Sequence, residues 1–107
     1  MSDITLSLKE VHELATNCLL ASGCDEPNAE AVAETIHAAE RDGCSSHGLF
    51  RLPGYVASLK SGKVNGAAVP EIRHLSGGVI QANGNGGYAP LALQRSRSAL
   101  IDAAKDN

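Results

Sequence analysis

The chain has 107 residues, enough for one hydrophobic core and too few for two domains. Its formal charge of −3, with no run of lysine and arginine interleaved with aromatics, speaks against a nucleic-acid surface. No apolar run has the length of a membrane span, and the amino terminus opens polar and acidic, unlike a signal peptide, so a cytoplasmic protein without a membrane partner is expected.

Ser7 and Glu10 form the Ser-x-x-Glu signature of a helix start. Behind it Val11, Leu14, Ala15, Cys18 and Leu19 recur at helical spacing until Ser22-Gly23 stops them. Asp25-Glu26-Pro27 opens a second helix, in which Ala29, Val32, Ala33, Ile36 and Ala39 or Glu40 continue to Gly43. The small alanines on both stripes let the two helices pack closely as a hairpin. A third helical pattern, Leu49, Leu52, Val56 and Leu59, ends at Ser61-Gly62. Pro53 would remove a hydrogen bond deep in that helix, so the helix starts late or kinks there. After a polar linker at Asn65-Gly66, Glu71 to Leu75 and Val79 to Asn83 flank Ser76-Gly77-Gly78 and read as a β-hairpin or two short strands. Pro90 opens a last helix carrying Leu91, Ala92, Arg95, Ala99, Leu100 and Ala103. The fold class is therefore α/β: three helices, a short hairpin and a further helix.

The chemistry concentrates in the segment from Arg41 to Tyr55. If the third helix ran unbroken from His47, then His47, Arg51 and Tyr55 would share one face, opposite Leu49, Leu52 and Val56. Gly48 and Gly54 would leave room for a small ligand. Ser45 and Ser46 would stand at a helix N-terminus, where unpaired N–H groups and a partial positive charge attract anions. Arg51 could grip a substrate carboxylate bidentately, and His47 could orient the substrate or relay a proton. The plainer reading of the same spacing is that Ser46 caps a helix whose solvated face carries His47 and Arg51.

Other motifs carry less. Gly84-Asn85-Gly86-Gly87-Tyr88-Ala89 imitates the dinucleotide fingerprint G-x-G-x-x-G/A. The strand before it is short and polar, no second parallel strand with a terminal acid follows, and glycine with asparagine is what a tight turn requires. Cys18, Cys24 and Cys44 form no C-x-x-C, so neither a disulfide framework nor a zinc site with Cys44-x-x-His47 is expected, and no metal is assigned. His12, His37 and His74 read as surface or packing residues.

The pattern Arg41-Asp42-Gly43-x-x-Ser46-His47-Gly48-x-x-Arg51-x-x-x-Tyr55, followed by Leu59 to Gly62, Pro70 and Asn85 to Tyr88, resembles the type 2 malate/L-lactate dehydrogenase family along the whole chain. The resemblance implies an NAD(P)-dependent oxidoreductase with a non-Rossmann malate/L-lactate/sulfolactate dehydrogenase-like fold, usually a homodimer. The wording Phe50-Arg51-Leu52-Pro53-Gly54-Tyr55 is most similar to the Δ1-piperideine-2-carboxylate/Δ1-pyrroline-2-carboxylate reductases, which form L-pipecolate or L-proline, typically with NADPH. By resemblance, Ser46 and His47 belong to a proton relay, Arg51 binds the substrate carboxylate and Tyr55 lines the same pocket. The chain corresponds to the N-terminal third of a family member. The relay aspartate, a glycine-histidine loop and the cofactor-binding residues are expected outside residues 1–107, so the isolated chain is expected to be inactive. Two alternatives stay open: a malate- or lactate-type 2-hydroxy acid dehydrogenase, and a truncated, non-catalytic helical interaction module.

Overall fold

The computed structural model describes residues 5–106. Helix α1 (Leu8–Ala21) starts where the sequence places it. The Ser7 hydroxyl accepts from the Glu10 amide at 3.1 Å and the Glu10 carboxylate accepts from the Ser7 amide at 2.9 Å. Those bonds hold the Glu10 carboxyl below its usual range, the backbone bond contributing most. Helix α2 (Glu26–Arg41) is capped by Asp25, whose carboxylate accepts from the Asn28 amide at 3.1 Å, and has Pro27 in its first turn.

Val11, Ala15 and Leu19 of α1 meet Ala29, Val32, Ala33 and Ile36 of α2 in one buried cluster with Cys24 and Tyr88. Each fully buried Leu, Val or Ile contributes on the order of 2 kcal/mol of transfer free energy. The buried stripe of α1 is narrower than its spacing suggests: Leu14 is exposed and Cys18 half-buried. Cys24 is buried, and its thiol is pushed up to about 11, first by desolvation and then by the neighbouring Asp25 charge.

One buried polar side chain escaped the periodicity argument. Asn28 donates from Nδ2 to the Asp25 carboxylate and to the Ala68 carbonyl, both at 2.9 Å. The Asp25 amide donates to the Gly66 carbonyl at 2.8 Å, and the Asn65 amide to the Gly86 carbonyl at 2.8 Å. The linker that reads as a polar spacer therefore fastens the α1–α2 connection to the loop before the last helix.

The third helix starts late, as Pro53 requires. Helix α3 (Leu52–Lys60) carries that proline in its first turn, and two single 3₁₀ turns, Ser45–His47 and Leu49–Arg51, precede it. Strands β1 (Glu71–Ser76) and β2 (Val79–Asn83) form an antiparallel hairpin running from Glu71 opposite Asn83 to Ser76 opposite Val79, with an irregularity between His74 and Ser76. Helix α4 (Ala89–Asp106) packs on β2 and α2 through Leu91, Ala92 and Ser96, with Ala103 also buried. Leu100, expected on its buried stripe, is half-exposed, whereas Ala103 almost one turn further on is buried. Among the described residues no helix is long and apolar enough to cross a membrane.

Candidate active site

The segment from Cys44 to Leu52 is wound in two short steps because Gly48 interrupts it. The Gly48 backbone (φ −92°, ψ −136°) ends one 3₁₀ turn and begins the next, so His47 and Arg51 do not lie on one continuous helix. The unbroken helix that would align His47, Arg51 and Tyr55 is not what forms. Nor is there a helix N-terminus at Ser45-Ser46 to bind an anion, since the turn there has three residues.

The polar trio is nevertheless brought together. His47, Arg51 and Tyr55 line one cleft of about 660 Å³, joined by Thr35 from α2, Gly54 and Ser58 from α3, Val64 from the linker and Tyr88 before α4. Ser46 lies elsewhere: it lines a neighbouring hollow of about 400 Å³ with Glu40, Ser45 and Phe50. Its backbone still serves the first cleft, because the Ser46 carbonyl accepts from Arg51 Nε at 2.9 Å.

That bond fixes one edge of the Arg51 guanidinium, and among the described residues no carboxylate pairs with it. Arg41, the other arginine of the motif, is engaged. Its Nε contacts Asp42 Oδ1 at 3.1 Å, which raises the guanidinium and lowers the carboxyl from their ordinary pKa values. Arg51 is thus the cation of this segment left to meet an anion from solution. A carboxylate accepting from its remaining donors would form the charge-assisted, bidentate arrangement for which a guanidinium is suited.

The two candidate spacer glycines differ. A Cβ on Gly54 would meet nothing within 4 Å, so that position is open to the cleft. A Cβ on Gly48 would stand 2.0 Å from Glu40 Oε1, so the missing side chain there makes room for Glu40 and not for a ligand. Glu40 accepts from the Leu49 amide at 2.9 Å. Helical spacing offers Glu40 only as a candidate for the buried stripe, and the contact spans a loop that no periodicity encodes.

Tyr88 also has a part in the cleft that helical spacing does not announce. It is buried, its hydroxyl donates to the Tyr55 carbonyl, and its ring stands edge-to-face on Tyr55 with centroids 5.1 Å apart. Tyr55 itself packs against the α1–α2 core while lining the cleft, so it is not on a purely solvated face. Burial first, then Cys24 and Tyr55, push the Tyr88 phenol up to about 12. A raised phenol pKa favours the protonated folded state. Its stabilisation is complete below the unfolded tyrosine value near pH 10 and is lost as pH rises to about 12. Tyr88→Phe keeps the ring and deletes the donor. It should cost about 1 kcal/mol in denaturant unfolding at neutral pH and flatten the alkaline limb of the stability–pH curve. An unchanged alkaline limb would show that another group governs it.

The glycine-rich loop at 84–87 does not fit a dinucleotide cradle. The strand before it belongs to an antiparallel hairpin, Asn85 (φ 52°) and Gly86 (φ 82°) make a tight turn, and a Cβ on Gly87 would lie 2.6 Å from the Ala68 Cβ. Gly87 serves close packing against the linker, and Gly86 serves the turn. Among the described residues no group of three His, Cys, Asp or Glu side chains could hold a metal ion.

A profile of the family described as Malate/L-lactate dehydrogenase matches residues 6–107. A Delta(1)-pyrroline-2-carboxylate reductase of Ancylobacter novellus is 46% identical over 103 residues, covering 96% of this chain and 30% of that protein. The crystal structure of delta1-piperideine-2-carboxylate reductase from Pseudomonas syringae pv. tomato superposes with a TM-score of 0.90 at 37% identity, over 96% of this chain and 31% of its own. A malate dehydrogenase from Entamoeba histolytica superposes with a TM-score of 0.86 at 28% identity, over 97% and 29%. The chain thus spans about a third of the length of the relatives it matches. With the family profile covering nearly all of it and the same fold returned, the chain belongs to the malate/L-lactate dehydrogenase family of oxidoreductases.

Proposed function

We propose that the protein carrying this chain reduces a cyclic imino acid, Δ1-pyrroline-2-carboxylate or Δ1-piperideine-2-carboxylate, to L-proline or L-pipecolate. The observation that carries the reading is the cleft in which Arg51, unpaired by any carboxylate among the described residues, stands with His47 and Tyr55. Relatives named for this reaction support the substrate class.

In this reading the hydride gained by the imine carbon would come from bound NADPH or NADH, a cofactor class that family membership supports. None of the described residues is assigned to hold it. Arg51 binds the ring carboxylate and so sets the position of the C=N bond. His47 supplies the proton that the ring nitrogen gains, and Ser46, next to it in sequence, serves this site through its carbonyl, which holds Arg51. Tyr55, braced by Tyr88, forms an apolar wall for the ring carbons.

A malate- or lactate-type activity is the second reading, favoured by the close superposition on a malate dehydrogenase. The two are separated by assaying the complete protein with either reduced nicotinamide cofactor. The proposal expects faster turnover of the cyclic imines than of pyruvate or oxaloacetate. Faster reduction of the open 2-oxo acids would replace it with the second reading.

A further inference from the structure

Glu40 is a carboxylate in the last turn of α2, where the helix dipole disfavours negative charge. Its Oε1 reaches across to accept from the Leu49 amide at 2.9 Å, and its carboxylate occupies the space beside Gly48 that any other residue would fill with Cβ. Leu49 opens the second 3₁₀ turn, so its N–H has no partner within that turn, and an ionised acceptor makes the stronger kind of hydrogen bond to it. Gly48 and Leu49 join His47 to the turn that ends at Arg51. A local cost in helix α2 is therefore accepted at the junction that lies between His47 and Arg51.

We propose that Glu40 is a positioning residue: it clamps the Gly48–Leu49 backbone to the end of α2 and so fixes His47 and Arg51 relative to each other across the cleft. This rests on the imino-acid reductase reading for its kinetic consequence, but not for its structural one. Glu40 touches no substrate in this proposal and acts through the Leu49 amide.

The complete protein and three single variants test it. Glu40→Ala should lower kcat/KM for the cyclic imine by about a hundredfold, the order expected when reacting groups are misplaced by an ångström. The loss should appear in both kcat and KM, since both His47 and Arg51 shift. Glu40→Gln retains a side-chain oxygen acceptor and should recover most of that loss. Gly48→Ala must expel the Glu40 carboxylate and should reproduce Glu40→Ala. The double variant Glu40→Ala/Gly48→Ala should be no worse than either single one, the non-additivity of two changes that remove one contact. Hydrogen exchange at the Leu49 amide should quicken in Glu40→Ala and Gly48→Ala and stay slow in Glu40→Gln.

Multiplicative losses in the double variant, an unchanged Leu49 exchange rate in Glu40→Ala, or wild-type kcat/KM in that variant would each overturn the clamp. If Gly48→Ala does not fold, the comparison of Glu40→Ala with Glu40→Gln decides alone. A wild-type protein that leaves cyclic imines untouched would sink the reductase reading. The exchange measurement would still decide whether the clamp exists.

Discussion

Replacing Arg51 with alanine is expected to raise KM for a cyclic imino acid by about 10- to 100-fold while kcat falls far less, the signature of a lost binding contact. A charge-assisted bidentate pair contributes roughly 2–3 kcal/mol, and about 1.4 kcal/mol corresponds to tenfold in affinity. Arg51 is exposed, so solvent screening places the expected effect toward the lower end of that range. Arg51→Lys keeps the charge and loses the fork, so it should fall between alanine and wild type. The alanine variant also removes the Nε bond to the Ser46 carbonyl, a structural change that needs its own control. Unsubstituted Δ1-pyrroline, which lacks the carboxylate, provides it. Its slow reduction should be equal in wild type and variant, whereas an equal loss with both substrates would mean that Arg51 only shapes the backbone.

His47→Ala is expected to act on the chemical step, lowering kcat by about 10²- to 10⁴-fold, the usual range for a positioned proton donor, with KM changed little. When hydride adds to carbon of a neutral imine, the ring nitrogen becomes an amine only by gaining a proton. An N-methylated iminium carboxylate already carries its positive charge and needs none. The N-methylated substrate should therefore be reduced at similar rates by wild type and His47→Ala, while the neutral imine suffers the full loss. Equal losses on both substrates would move His47 from proton transfer to substrate orientation. Ser46 is placed to matter less directly. It lines the hollow shared with Glu40, Ser45 and Phe50, and its carbonyl holds Arg51.

The sequence carried the elements whose causes are local. The reciprocal Ser7–Glu10 cap, Pro27 in the first turn of α2, the late start of α3 at Pro53 and the hairpin around Gly77 all depend on residues within a few positions of one another. The alanine-rich α1–α2 seam joins more distant residues, but each of its halves follows from the apolar period of its own helix. What the sequence did not carry depends on distant partners. Tyr88 braces Tyr55 from 33 residues away, Asn28 binds the Ala68 carbonyl from 40, and Glu40 reaches Leu49 over a loop. Periodicity also marks residues that the fold leaves uncovered. Leu14 and Leu100 satisfy their apolar stripes and remain 43% and 50% exposed, so spacing alone overstates the core.

The site shows the same division. His47, Arg51 and Tyr55 were marked by residue type and by the family pattern, yet the supposed mechanism for uniting them, one helical face, was wrong in detail. Gly48 and Pro53 break the helix, and the cleft is instead assembled from two 3₁₀ turns, α3, the linker and the residue before α4. Thr35, Ser58 and Val64 join it only because the fold closes around Tyr55. Phe50, Val69 and Leu93 are exposed, and exposed apolar side chains identify no partner by themselves.

The central claim is that this cleft receives a ring bearing a carboxylate, with Arg51 at the carboxylate and His47 at the ring nitrogen. The most direct test is a crystal structure of the complete protein with pyrrole-2-carboxylate, a planar, unreactive counterpart of the cyclic imine. The carboxylate is expected within hydrogen-bond distance of the Arg51 guanidinium, with the ring nitrogen facing His47 and the ring carbons against Tyr55. A ligand bound with its carboxylate away from Arg51, or outside the cleft altogether, would contradict it.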